Sequence, residues 1–89
     1  VRLRLRGKLW RLLITKDTLG TAKGSCEAPT LPNKAIRIRP SLKGRQELDT
    51  YIHEMLHACL WDLDEEAITD SATDIARALW RLGYRKTTE

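Results

Sequence analysis

The chain contains two histidines, and both fall within one pentapeptide, His53-Glu54-Met55-Leu56-His57. On a helix, residues four apart project from one face, one turn above the other, so the two imidazoles can grip a single metal ion together. Neutral imidazole is the commonest metal ligand, and the HExxH spacing sets Glu54 where its carboxylate can reach a water on that metal. Each residue type meets a chemical need. The rings bind the ion, while the carboxylate accepts a proton from the water and hands it to a leaving amine. The pattern predicts a zinc (Zn2+) site with His53 and His57 as ligands and Glu54 as general base of a metal-dependent hydrolase. The competing reading is two surface histidines on an ordinary amphipathic helix. The absence of any other histidine and the acidic residues that follow favour the metal.

A catalytic zinc usually takes three protein ligands and keeps a fourth position for water. With no further histidine to supply, the third must come from the acids that follow: Asp62, Asp64, Glu65, Glu66, Asp70 and Asp74. A short turn between antiparallel helices would bring the start of the second helix beside the last turn of the first, where His57 sits. On the helical wheel Glu65 lies nearer the apolar face of that second helix than Glu66 does. Acidic residues are also favourable in the first turn of any helix, which accounts for some of them.

The elements that must position these groups are legible from periodicity. Val1, Leu3 and Leu5 alternate with Arg2, Arg4 and Arg6, and Gly7-Lys8 suits a Gly-first turn into a second strand over Leu9–Thr15. Residues 16–33, broken by Gly20, Gly24, Pro29 and Pro32, read as a loop with a short extended piece near Cys26, able to form one rim of a cleft. Ala35–Arg39 alternates as a strand ended by Pro40. The active-site helix is expected over 41–61, starting between Ser41 and Gly44, with Leu48, Ile52, Met55, Leu56 and Cys59 as its apolar stripe. Asp64 is a good N-cap for a second helix within 64–83, with Ile68, Ala72, Ile75, Ala76 and Leu79 inward and Gly83 as its stop. Lys86 to Glu89 should fray. The expectation is an α+β fold: a small antiparallel sheet of three to four strands, opened by a hairpin, packed on two antiparallel helices in one domain over residues 1–89.

Charged residues make up 31% and hydrophobic residues 42% of the 89, a balance that fits a folded protein with a small core rather than a disordered chain. Neither a membrane span nor a signal-peptide pattern is present in the sequence, so a cytoplasmic location is expected, with no membrane partner. The net charge of +4 invites a nucleic-acid partner. The basic residues are spread along the chain, however, and no aromatic residues interleave with them, so nucleic acid is not the expected ligand. A peptide or protein substrate is. Cys26 and Cys59 lack the spacing of a zinc ribbon or redox pair, and small buried thiols are expected. Trp10, Trp61 and Trp80 read as core or rim residues.

The segment Glu66-Ala67-Ile68-Thr69-Asp70 resembles the Glu-x-x-x-Asp of the gluzincins, peptidases in which HExxH on one helix is completed by a glutamate on the next. The order of strand, Pro40-Ser41-Leu42, helix and HExxH resembles the compact ImmA/IrrE-type and phage-related metallopeptidase domains. The resemblance covers about residues 35 to 75. It implies a minimal zincin-like fold and zinc-dependent peptide hydrolysis, with Glu66 as third ligand and Asp70 orienting His53. It leaves Glu65 as the alternative ligand, since the gap from His57 to the glutamate is shorter here than in thermolysin-like enzymes. Such peptidases add an oxyanion-stabilising side chain, for which Tyr84, Tyr51 or an arginine is available. The reading from a different class is a non-catalytic binding module in which zinc only stabilises a small core.

Overall fold

A computed structural model describes residues 1–87. The elements in chain order are β1 (Arg2–Leu5), β2 (Lys8–Ile14), β3 (Gly24–Cys26), β4 (Ala35–Ile38), α1 (Gly44–Cys59) and α2 (Glu65–Arg81). The fold is α+β, with a four-stranded sheet and two helices. Of the tail expected to fray, Thr88 and Glu89 lie outside the described residues, and Lys86 forms an ion pair with Glu47 at 3.2 Å.

β1 and β2 form the N-terminal hairpin, but its turn falls one residue earlier than expected. Leu5 pairs with Lys8, leaving Arg6 and Gly7 as the central residues, both in the left-handed region with φ of 49° and 79°. Two positive-φ residues make the turn whose twist matches a right-twisted hairpin. Glycine tolerates that conformation freely, whereas Arg6 adopts it against its steric preference. The Arg6 guanidinium donates to the Cys59 carbonyl at 2.9 Å. It thereby satisfies one of the last carbonyls of α1 and ties the hairpin to the end of the HExxH helix.

The sheet order is β1-β2-β4-β3, with β2 and β4 parallel and the other two pairings antiparallel. The sheet is mostly antiparallel and opened by a hairpin, as expected, and the β2–β4 pairing makes it mixed. After β2 the chain passes over to β3, and β4 returns into the space between them. This buries β4, with Ala35, Ile36 and Ile38 each at most 1% exposed, and leaves β3 on an edge.

Trp10, Ile36, Ile38, Leu42 and Ala58 make the core, with Leu5, Leu12, Cys26, Tyr51 and Met55 packed around it. Both cysteines are free and half-buried, as expected for small packed thiols. Burial, followed by the nearby charges of Glu54 and Glu27, pushes the Cys26 thiol up to about 12, so it stays protonated at neutral pH.

α1 is the middle layer. It contacts β1, β3 and β4, and it contacts α2, which itself reaches none of the strands. Covered on two flanks, α1 has no single fully buried apolar stripe. Leu48, Ile52, Met55, Leu56 and Cys59 are half-buried, and its most buried residues are Thr50, Glu54 and Ala58. On α2 the expected residues Ile68, Ala72 and Ala76 are fully buried, but Ile75 lies 40% exposed, because no layer covers that flank. The helix ends at Arg81, and Gly83, the expected stop, follows the cap Leu82 with φ of 95°, the Tyr84 N–H donating to the Leu79 carbonyl at 3.0 Å. Among the described residues, no helix is long and apolar enough to cross a membrane.

Candidate metal centre

His53 and His57 stand one turn apart on α1, their Nε2 atoms 3.2 Å from each other and their ring planes 66° apart. The chain leaves α1 at Cys59 and turns through Leu60–Leu63, where the Leu63 N–H donates to the Leu60 carbonyl at 2.9 Å. Asp64 then starts α2. Its side chain accepts from the Ala67 N–H at 2.8 Å, the N-cap bond expected from sequence. That cap makes Glu65 the first helical residue and fixes its direction. Glu65 shares the face of Ile68 and Ala72, three and seven residues on, which is the face packed against α1.

The Glu65 carboxylate spans the two rings, with Oε1 3.0 Å from His53 Nε2 and Oε2 3.0 Å from His57 Nε2. His53, His57 and Glu65 thus form a group that could hold a metal ion. The donor set fits one. Tetrahedral zinc with bonds of about 2.0–2.1 Å has neighbouring ligand atoms roughly 3.3 Å apart, close to the spacings here. Protonating both rings would instead set two like charges against each other at hydrogen-bond distance, whereas one shared cation uses both imidazole lone pairs and the carboxylate.

The acid that joins the two histidines is Glu65 and not Glu66, which is exposed at the next position of the helix. Asp70 is also exposed, and among the described residues it makes no hydrogen bond to His53. The residue one turn beyond Glu65 is Thr69, whose hydroxyl donates to Glu65 Oε1 at 3.5 Å. The glutamate that the helical wheel set nearer the apolar face, Glu65, is the one beside the two rings, while Glu66 and Asp70 of the Glu-x-x-x-Asp segment are both exposed.

Glu54 faces away from solvent, only 7% exposed, against the edge strand β3. Close approach of that strand depends on Gly24. A Cβ there would lie 2.9 Å from the Arg37 carbonyl oxygen, 3.0 Å from Thr50 Cγ2 and 3.1 Å from Glu54 Cγ. Burial first, and then the negative charge of Glu65, pushes the Glu54 carboxyl up to about 7. A carboxyl in that range is suited to exchanging protons near neutral pH.

A cleft of about 500 Å³ opens beside the centre, with Thr21, Lys23 and Gly24 on one wall, Asp49, His53 and Glu54 on the α1 side, and Thr69 and Thr73 from α2. The Thr73 hydroxyl donates to Asp49 at 3.3 Å and so links the two helices across its floor. The expected loop rim is present. The expected oxyanion groups are elsewhere: Tyr51 packs on the core, and Tyr84 lies 63% exposed beyond the far end of α2. Among the described residues the one cation lining the cleft is Lys23, which sequence reasoning passed over. An isolated glycine entering a short strand marks close backbone approach, so Gly24 was the available signal for this wall. β3 leaves an open sheet edge beside the cleft, while β4 lies inside the sheet.

No known protein family matches the chain, and neither does any curated protein or solved structure.

Proposed function

We propose that this protein is a zinc-dependent peptide hydrolase in which His53, His57 and Glu65 hold the metal and Glu54 is the general base. The supporting observation is the convergence of two imidazole Nε2 atoms and one carboxylate at about 3 Å spacings, beside a cleft that Glu54 also lines. Bound there, zinc supplies a Lewis acid that polarises the scissile carbonyl and lowers the pKa of water toward roughly 7. Glu54 accepts the proton of the attacking water at its carboxylate and delivers it to the leaving amine. Thr69 steadies the Glu65 carboxylate, and Lys23 offers positive charge to the carbonyl oxygen as negative charge develops. The substrate main chain lies along the open edge of β3, where Gly24 permits close approach to Glu54.

Glu54→Gln tests this reading. Zinc content should stay at the wild-type level while hydrolysis of a peptide library falls by roughly 10²–10⁴-fold, the usual worth of a general base. Equal turnover by both proteins rejects the assignment. One observation favours the second reading, a zinc-stabilised module without catalysis: α2 touches only α1, so an ion at Glu65 fastens an otherwise one-sided helix. Wild-type protein that holds zinc yet cuts no peptide would support that module instead.

A further inference from the structure

The basic residues that look dispersed in the sequence are gathered by the sheet register. Arg2 pairs with Arg11 across β1 and β2, and Arg4, two residues on, shares their face, which is opposite to the face carrying Trp10. Arg2, Arg4 and Arg11, joined by Lys8 and Lys34 from the Trp10 side of the ribbon, where Lys34 Nζ lies 5.5 Å from the Trp10 ring, line a depression of about 420 Å³ that includes no acidic residue among the described residues. Among the described residues, none of the five has a carboxylate partner, whereas Arg37 farther along the sheet is neutralised by Glu27 at 2.7 Å. Two of the guanidiniums are held by backbone carbonyls: Arg11 donates to Asn33 at 2.9 Å and Arg4 to Gly7 at 3.3 Å. Both keep further N–H groups free for an acceptor. Trp10, also in the lining, is 1% exposed and its indole N–H has no acceptor, so it adds no lone pair to the site.

We propose that this face binds the phosphate backbone of a nucleic acid, independently of the metal centre. Arginine forks match phosphate oxygens, and although Arg11 feels the charge of Glu27, whose carboxylate is bound by Arg37, a row of them lining a depression without a carboxylate of its own is complementary in charge to a polyanion. A protein partner would want exposed aromatic anchors and a membrane surface a broad apolar flank. This face has only Leu9 outward, and its aromatic residue is buried. With no aromatic residue exposed to stack on bases, binding should be indifferent to sequence.

The test is titration of a fluorescent 20-base-pair duplex across a salt series. The expected dependence of log K on log salt has a slope of about −3 to −4.5, since each neutralised phosphate contributes about −0.9 and up to five cations are available. The triple variant Arg2→Glu, Arg4→Glu, Arg11→Glu should lose at least roughly tenfold in affinity and flatten the slope. A control with the same charge change on the helical side, Lys43→Glu, Arg45→Glu, Arg77→Glu, should lose less than about threefold. Arg→Gln replacements at the same three sheet positions give the same ranking should the reversed protein fold poorly by circular dichroism. His57→Ala should bind the duplex like the wild type. No binding, equal losses in the two triple variants, or displacement of the duplex by polyglutamate or anionic vesicles at matched charge would overturn the proposal.

Discussion

Along α2 the row facing its neighbour is Ile68, Ala72 and Ala76, each fully buried, whereas the most buried row of α1 is Thr50, Glu54 and Ala58. Full burial of a side chain such as Ile68 is worth about 1.5–3 kcal/mol, and small alanines let the helices approach closely. A buried carboxyl acts in the opposite direction, since removing it from water disfavours its charged form. α2 is therefore scaffold that brings a single residue, its first, to the candidate metal centre. α1 gives up apolar burial at the position where a proton carrier is needed, and it relies on the sheet and on α2 to hold it.

Removing a metal ligand should break that division of labour most severely. His57→Ala and Glu65→Ala should each lower zinc affinity by at least roughly 100-fold, because losing even an outer partner of a ligand costs 10–100-fold. Glu66→Ala should leave zinc content unchanged, a contrast that metal analysis of protein purified without added metal can read. Ile68→Ala comes next and tests the scaffold: about 2–5 kcal/mol of stability lost, measured as a lower urea midpoint at unchanged slope, with the zinc ratio per folded molecule preserved. Gly24→Ala then probes the wall against Glu54. Crowding of the Arg37 carbonyl and Glu54 Cγ should cost about 1–3 kcal/mol and reduce turnover without reducing zinc content.

The smallest effect is expected on the sheet, at Glu27. Its carboxyl is held below the usual range by the hydrogen bond from Arg37, with burial opposing and the Ala35 N–H adding to the effect. A depressed folded-state pKa means that this contribution is present above the unfolded value near 4.5 and is lost as pH falls through the folded value. Glu27→Gln should therefore cost about 0.2–1 kcal/mol at neutral pH, as for a partly solvated pair, and progressively less in acid. Denaturant midpoints at two pH values would show it.

The two helices, the Asp64 cap and the HExxH face were legible because each depends on local spacing. Glu65 was legible too, through its place three residues before Ile68, although the motif resemblance favoured its neighbour. The parallel pairing of β2 with β4 was not, since alternation such as Ala35–Ile38 reads the same in either direction. The hairpin turn was displaced because Arg6 takes a left-handed φ that residue type argues against, held by a bond to Cys59 that no local pattern encodes. The clustering of Arg2, Arg4 and Arg11 likewise needed the register of paired strands. Lys23 and Thr73 meet at one cleft only through tertiary packing.

The bend at Leu60–Leu63 lets the whole candidate donor set fall between His53 and Glu65. Closing so short a span costs little chain entropy, and such local contacts form fast. In a chain emerging stepwise, an ion can staple this bend before the remainder of α2 has been made. The parallel β2–β4 pairing, by contrast, must wait for strands far apart in sequence to find one another.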